Sequence, residues 1–417
     1  MIIEVYRYLS KGWVTEYWLN PVFLFNYPGF EFLEVLPGNG MIYLFYGMGL
    51  LAFCVLIGLF TRLSSLLLAL AFSYQFLLEQ TYYLNHFYLI LLLSWINVFL
   101  PLNRFYSLDA KIFGTRSQVN IRLYEFILQA QLTIVYVYAG IAKINSDWLA
   151  GEPMRGWLAA RSDFPFLGPY FLDPRVVDAF CYGGLIFDLF IVPIIIWKRT
   201  RYLGLLMLIF FHITNHLLFH IGIFPWLMIF LTPLLLPDPD LKHKLTLQNS
   251  LSRVHIPAIC LGMSYLAFQA LFPLRHYLYE GNVSWTEQGH KFAWHMKLRT
   301  KKCSAVFFVQ RSTNRPRLQI NNFLFLTERQ DRKMSARPYM IRDFARYLRQ
   351  QFSAESNDQA KVVVWSHCSL NGRAYQHFID PTVDISRMNY HYGLDREPWI
   401  IPLSTPLPRA NRFYYQP

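Results

Sequence analysis

The sequence predicts a polytopic α-helical membrane bundle of about eight or nine spans, followed by a small extracytoplasmic α+β domain rich in β-structure. Three observations carry this. Of the 417 residues, 54% are apolar and 18% aromatic while only 16% are charged, outside the usual range of soluble domains. Long apolar runs fill the first 280 residues, whereas 281–417 is polar and rich in Arg and Lys. Basic residues also cluster in alternate short loops, as the positive-inside rule requires of a multi-pass chain. The expected organisation is a transmembrane helical domain at 1–280 and an extracytoplasmic β-rich domain at 281–417.

Met1 to Ser10 lacks the basic start, apolar stretch and small-residue cleavage site of a secretory leader, so insertion is expected to rely on the first true span. Trp13 to Phe32 is aromatic but broken by Asn20-Pro21 and Pro28-Gly29; it lies in the interface, re-enters, or forms a ninth crossing. A helix needs roughly 20 apolar residues to cross the hydrocarbon. Candidate spans run at about 41–60, 64–80, 84–100, 121–144, 176–197, 202–220, 221–236 and 254–274.

Arg62 follows the first span; Arg104, Lys111, Arg116 and Arg122 the third; Lys198, Arg199 and Arg201 the fifth; Lys242, Lys244 and Arg253 the seventh. These loops are cytoplasmic, which places the loops near 81–85, 145–175 and 220, and everything after the eighth span, outside. In the tail, Phe292, Trp294, Met296 and Leu298 alternate with His295, Lys297 and Arg299, and Val362 to Trp365 is β-branched, so both read as strands. Between them Pro338, Met340, Phe344, Leu348 and Phe352 recur at helical spacing, predicting one amphipathic helix over the sheet.

The net charge of +13 is spread over loops and tail without a nucleic-acid-binding motif, so it reads as topology and contact with anionic lipid. Cys54, Cys181, Cys260, Cys303 and Cys368 show no CxxC spacing, and three lie in apolar spans; no disulfide framework and no zinc site is expected.

Ionisable residues in apolar spans are costly, which makes each a candidate for function. Lys143 closes the fourth span at its outer end, where it either snorkels as a helix anchor or, partly desolvated, serves as a base. Asn85-His86 opens the third span at the same level, and His212, His216 and His220 recur every four residues along the sixth toward it. The HxxxH spacing also fits a metal, but few carboxylates accompany it and the repeated boxes of membrane di-iron enzymes are lacking, so no metal is expected. Asp188 is the acid deepest in a span, placed to orient a histidine, pair Lys143 or bond a neighbouring helix.

The stretch TIVYVYAGIAKINSDWLAGEPM from Thr133 to Met154 resembles the catalytic segment of the vitamin K-dependent gamma-glutamyl carboxylase family. The resemblance extends to Asn85-His86, to Phe211-His212 with the run Leu218 to Phe224, and to FIDPTVDI at Phe378 to Ile385, in the same order over nearly the whole chain. It implies oxygenation of a reduced naphthoquinone to its epoxide, coupled to removal of a γ-proton from a protein glutamate and addition of carbon dioxide. By the same resemblance Lys143, His86 and His212 are catalytic, and Asn85, His216, Tyr138 and Trp148 bind the quinol. Vitamin K hydroquinone or menaquinol, O2 and CO2 are the implied co-reactants, and a lipid quinol, a glutamate-containing peptide and membrane lipids the implied partners. The animal enzymes continue further beyond the FIDPTVDI segment, so a bacterial inner-membrane member using menaquinol is expected. A quinol epoxidase without carboxylation, and a non-enzymatic membrane scaffold, are the alternatives.

Overall fold

The computed structural model describes residues 1–103, 106–114, 122–219, 221–236, 256–311, 316–353, 360–389, 394 and 397–408. The loop residues Arg104, Arg116, Lys242, Lys244 and Arg253, used above for topology, and His220 lie outside the described residues.

Helices occupy all eight apolar segments. Six are long and apolar enough to cross a membrane: α1 (Gly40–Ile57), α2 (Thr61–Leu78), Leu123–Ala142 within α4, α5 (Pro174–Ile196), α6 (Arg201–Phe219) and Pro257–Leu278, which is α8 (Ile256–Leu271) with its 3-10 extension. At 1.5 Å per residue an 18-residue helix reaches about 27 Å, close to the hydrocarbon thickness.

The other two are shorter apolar helices, Asn85–Phe99 and Phe224–Leu235. Helix α3 (Asn85–Phe99) stops because Leu100 precedes Pro101 and takes extended backbone angles, as residues before proline prefer. Helix α7 (Phe224–Leu231) has a proline in its first turn and tightens into a 3-10 turn, Thr232–Leu235, that holds Pro233. No helix long enough to cross a membrane lies before Gly40: a short helix Ile2–Ser10 and a π-helical turn Thr15–Leu19 lead into irregular chain. The proline and glycine positions that interrupt this stretch account for it.

Two compact units emerge, neither of them continuous in sequence. The first comprises Met1–Val119, Lys302–Ser369 and Tyr375–Leu403. It holds α1 to α3 and a four-stranded sheet of order β2-β1-β3-β4, formed by β1 (Lys301–Gln310), β2 (Leu318–Gln319), β3 (Lys361–Leu370) and β4 (Gln376–His377). β1 pairs antiparallel with β2, Phe308 opposite Gln319, and β3 with β4, His367 opposite His377.

Alternate residues Ala305, Phe307 and Val309, with Val362, Val364 and Cys368, are buried, the two-residue period of a sheet with one covered face. The cover is α10 (Pro338–Ser353), the amphipathic helix expected from the sequence, whose Phe344 ring packs edge-on to Phe307 at 5.0 Å. Helix α9 (Glu328–Ser335) opens with a Thr327 and Gln330 capping box, and Gln330 also donates to Glu79 Oε2 and to the Phe23 carbonyl, both at 2.8 Å. The loop after α2 is thereby tied to the soluble helix.

Two expectations for the tail are corrected. Residues 292–299 do not form a strand, because Phe292, Trp294 and Lys297 adopt positive φ (61°, 57° and 50°), which takes the backbone out of the pleated conformation. Cys303 on β1 and Cys368 on β3 form a disulfide across the sheet, with Cα atoms 4.2 Å apart. Their pairing is a property of strand register, not of local spacing, so no motif announces it. Cys54, Cys181 and Cys260 are free.

The second unit comprises Asn120–Lys301, Leu370–Ala374 and Ser404–Pro417. It is built on α4 (Arg122–Ala142), α5, α6 and α8. Helices α4 and α5 approach closely at Gly140, where an added methyl would lie 2.6 Å from the Leu189 side chain and 3.2 Å from its backbone nitrogen.

Candidate active site

The close approach at Gly140 sets the site, because just past the end of α4 stands Lys143 and beside Leu189 on α5 stands Asp188. Lys143 Nζ donates to Asp188 Oδ2 and to the Ala139 carbonyl, the latter at 3.2 Å. Both side chains are buried, at 7% and 5% exposure. The expectation that Asp188 orients a histidine, pairs the lysine or bonds a neighbouring helix is thus met by the ion pair with Lys143.

Burial penalises a lone charge on either group, and the contact between them offsets that cost. Gly184, one turn before Asp188, keeps the space open: a methyl there would stand 3.8 Å from Lys143 Cε and 3.9 Å from the Trp148 ring.

The chain beyond Lys143 is held from several sides. Asn145 caps the short helix Ser146–Leu149 by accepting from the Trp148 N–H at 3.0 Å. Trp148 in turn donates from Nε1 to the Cys181 carbonyl at 2.9 Å and presents its ring 5.4 Å from the Lys143 ammonium. Under it lies an apolar cluster that includes Ala142, Met154, Leu158, Phe171 and Val177 and keeps water from that side.

Asp147 is clamped by the turn after β3: Arg373 donates to both carboxylate oxygens at 2.6 and 2.7 Å and Asn371 donates to Oδ2 at 2.8 Å. Asn371 is fixed by Thr300, exchanging two hydrogen bonds of 2.8 Å with its backbone. Burial acts to raise the Asp147 pKa, but the bonds from Arg373 and Asn371 outweigh it and hold the carboxyl below its usual range.

Next to this loop opens a cavity of about 290 Å³, lined among others by Asn145, Asp147, Asn282, Ser284, His295 and Asn371. Glu287 nearby receives Arg299 at 2.8 Å, and although burial works against it, Arg299 and Lys301 keep it well below the ordinary carboxylate range. His295 is lowered to about 3, by burial first and then by the neighbouring His276 and Arg299.

Of the other predicted residues, His212 is 1% exposed, and its Nε2 lies 2.9 Å from the Tyr136 hydroxyl on α4. Among the described residues its Nδ1 has no hydrogen-bond partner, within a surround of Phe187, Phe211 and Phe224 rings. His216 packs edge-on to Trp226, and its buried Nδ1 likewise has no partner among the described residues. Tyr138 points elsewhere on α4, its hydroxyl donating to the Ala270 carbonyl of α8.

Asn85 and His86 belong to the first unit, where Tyr83 donates to Asn85 Oδ1 at 3.0 Å and His86 is buried against the Phe87 ring. Sequence reasoning missed Tyr136, Asp147, Asn371 and Arg373. Tyr136 had a signal, since it lies seven residues before Lys143 on one helical face; the Asp147 clamp joins residues 226 apart and had none. Among the described residues no three His, Cys, Asp or Glu side chains converge as a metal ligand set.

No solved structure matches the chain. The HTTM domain matches residues 1–239, and the lumenal domain of vitamin K-dependent gamma-carboxylase matches residues 255–406. With the first domain spanning more than half of its length and the second following in order, the chain belongs to the vitamin K-dependent gamma-carboxylase family.

Proposed function

We propose that the protein is a membrane-embedded gamma-carboxylase-like enzyme that oxygenates a reduced naphthoquinone, menaquinol or vitamin K hydroquinone, and uses that reaction to carboxylate protein glutamate. The observation that carries the reading is Lys143: a buried lysine at the end of an apolar helix, within the stretch that resembles the family's catalytic segment. Its Nζ takes the proton from the quinol hydroxyl.

The buried Nδ1 of His212, without a partner among the described residues, is available to bond a quinol oxygen. His86 is assigned to catalysis and Asn85 to holding the quinol oxygens; His216, Tyr138 and Trp148 contribute to its binding. The bound quinol, with O2, supplies a base strong enough to remove a glutamyl γ-proton, to which CO2 then adds. What the chain contributes is a proton acceptor at Nζ, hydrogen bonds that orient the quinol, and exclusion of water by the apolar cluster under Trp148.

The proposed division is a catalytic membrane domain at 1–280 and an extracytoplasmic domain at 281–417, in a bacterial inner membrane. Incubation of the detergent-solubilised protein with chemically reduced menaquinone, labelled CO2 and a glutamate-containing peptide tests this. Epoxide together with labelled peptide supports the carboxylase. Epoxide with no label, unchanged on adding peptide, would reduce the protein to a quinol epoxidase. Absence of epoxide overturns the reading.

A further inference from the structure

We propose that Asp188 is the positioning residue that lets Lys143 accept a proton: as one proton arrives at Lys143 Nζ, one already there passes to Asp188 Oδ2. This rests on the assignment of Lys143 as the base and adds to it the group that makes it usable. A lysine held as an ammonium has no lone pair to offer, and a lysine kept neutral by burial alone is hard to reconcile with a carboxylate in contact with it. The pair resolves the conflict.

At rest an ammonium faces a carboxylate and the buried site carries no net charge, which costs less than either charge buried alone. When a proton binds at Nζ, the N–H bond directed at Asp188 breaks, an O–H bond forms at Oδ2, and the pair becomes ammonium plus carboxylic acid with one positive charge. That charge balances the one negative charge left on the group that gave up its proton. No oxidant or reductant is involved, and the reverse transfer resets the pair.

The geometry favours this use. Asp188 Oδ2 is in hydrogen-bonding contact with Nζ, the Ala139 carbonyl holds the ammonium from its own helix, and Gly184 leaves the space beside Lys143 Cε free of a side chain. Other titratable groups in electrostatic reach are the Tyr136 phenol, which senses Asp188, and the Cys181 thiol, which senses Lys143.

Asp188→Asn keeps the shape and the acceptor oxygen but cannot store a proton. Its kcat is expected to fall about a hundredfold, the scale of a lost proton-transfer partner, while the KM for quinol stays within about twofold. The acid limb of its kcat/KM profile is expected to move by at least about one pH unit, and Asp188→Glu to recover part of the rate. Infrared-detected pH titration of quinol-free protein gives a reading independent of turnover. The carboxylic-acid band of Asp188, identified by its loss in Asp188→Asn, is expected to titrate at a different pH in Lys143→Met, by more than about one unit. A band indifferent to Lys143→Met, or an Asn variant with wild-type kcat and pH profile, overturns the proposal. Wild type that makes no epoxide would instead overturn the quinol reading, and the infrared titration would still judge the pair.

Discussion

Replacing Arg373 with alanine isolates the clamp that holds the chain just beyond Lys143. Asp147 is 4% exposed and takes three of its hydrogen bonds from Arg373 and Asn371, at 2.6, 2.7 and 2.8 Å. Removing one partner of a buried pair typically costs 3–5 kcal/mol, because the remaining charge is left uncompensated. Asn371 keeps its bond to Oδ2 in the variant, so the low end applies, about 3 kcal/mol. For a chain of 417 residues that is roughly a 3–4 °C fall in the thermal midpoint. Detergent-solubilised wild type, Arg373→Ala, Asp147→Ala and the double variant would be compared by thermal unfolding. The double variant is expected to lose clearly less than the sum of the single losses, since either one alone breaks the same pair. Additive losses, or an Arg373→Ala midpoint within about 1 °C of wild type, would refute the clamp.

Three further outcomes follow from the same geometry. Gly140→Leu drives a side chain into Leu189 and is expected to cost about 1–3 kcal/mol of stability and to separate Lys143 from Asp188, read as a lower thermal midpoint with lost turnover. Breaking Cys303–Cys368, which lie 65 residues apart in sequence, by Cys→Ser substitution at both positions should cost about 4 kcal/mol on chain-entropy grounds, read by unfolding without reductant. Stability should also fall on acidification. The Asp147 and Glu287 carboxyls sit below their usual values, so their contribution is present above the ordinary carboxylate range and is lost as pH drops through the lowered ones. His295 is held neutral, shifted from 6.5 to about 3, so unfolding takes up a proton there below pH 6.5 and its contribution shrinks over that interval. A midpoint that rises between about pH 6.5 and about pH 4 would contradict these assignments.

The parts of this structure that were legible in the sequence are those with a local signal. Apolar runs marked eight of the helices, and the spacing of Met340, Phe344 and Leu348 marked the helix over the sheet. Lys143 and Asp188 stood out because charge in an apolar run is costly, though only the fold could join them across 45 residues. What failed was where local pattern and backbone diverge. The alternation at 292–299 reads as a strand, yet three positive φ values within it make a folded loop, and the strand begins at Lys301. The apolar runs at 84–100 and 221–236 hold helices shorter than the roughly 20 residues of a crossing, with Pro101, Pro225 and Pro233 at or near their ends. The Cys303–Cys368 disulfide and the Asp147–Arg373 clamp are consequences of register and docking, for which no sequence periodicity exists.

The central claim is that Lys143 is the base of a quinol-dependent reaction. Its most direct measurement is the rate of epoxide formation from reduced menaquinone by wild type and by Lys143→Ala, both shown by thermal unfolding to be folded. The account expects epoxide from wild type and a loss of at least about a hundredfold in the variant. Equal rates in the two proteins would contradict it.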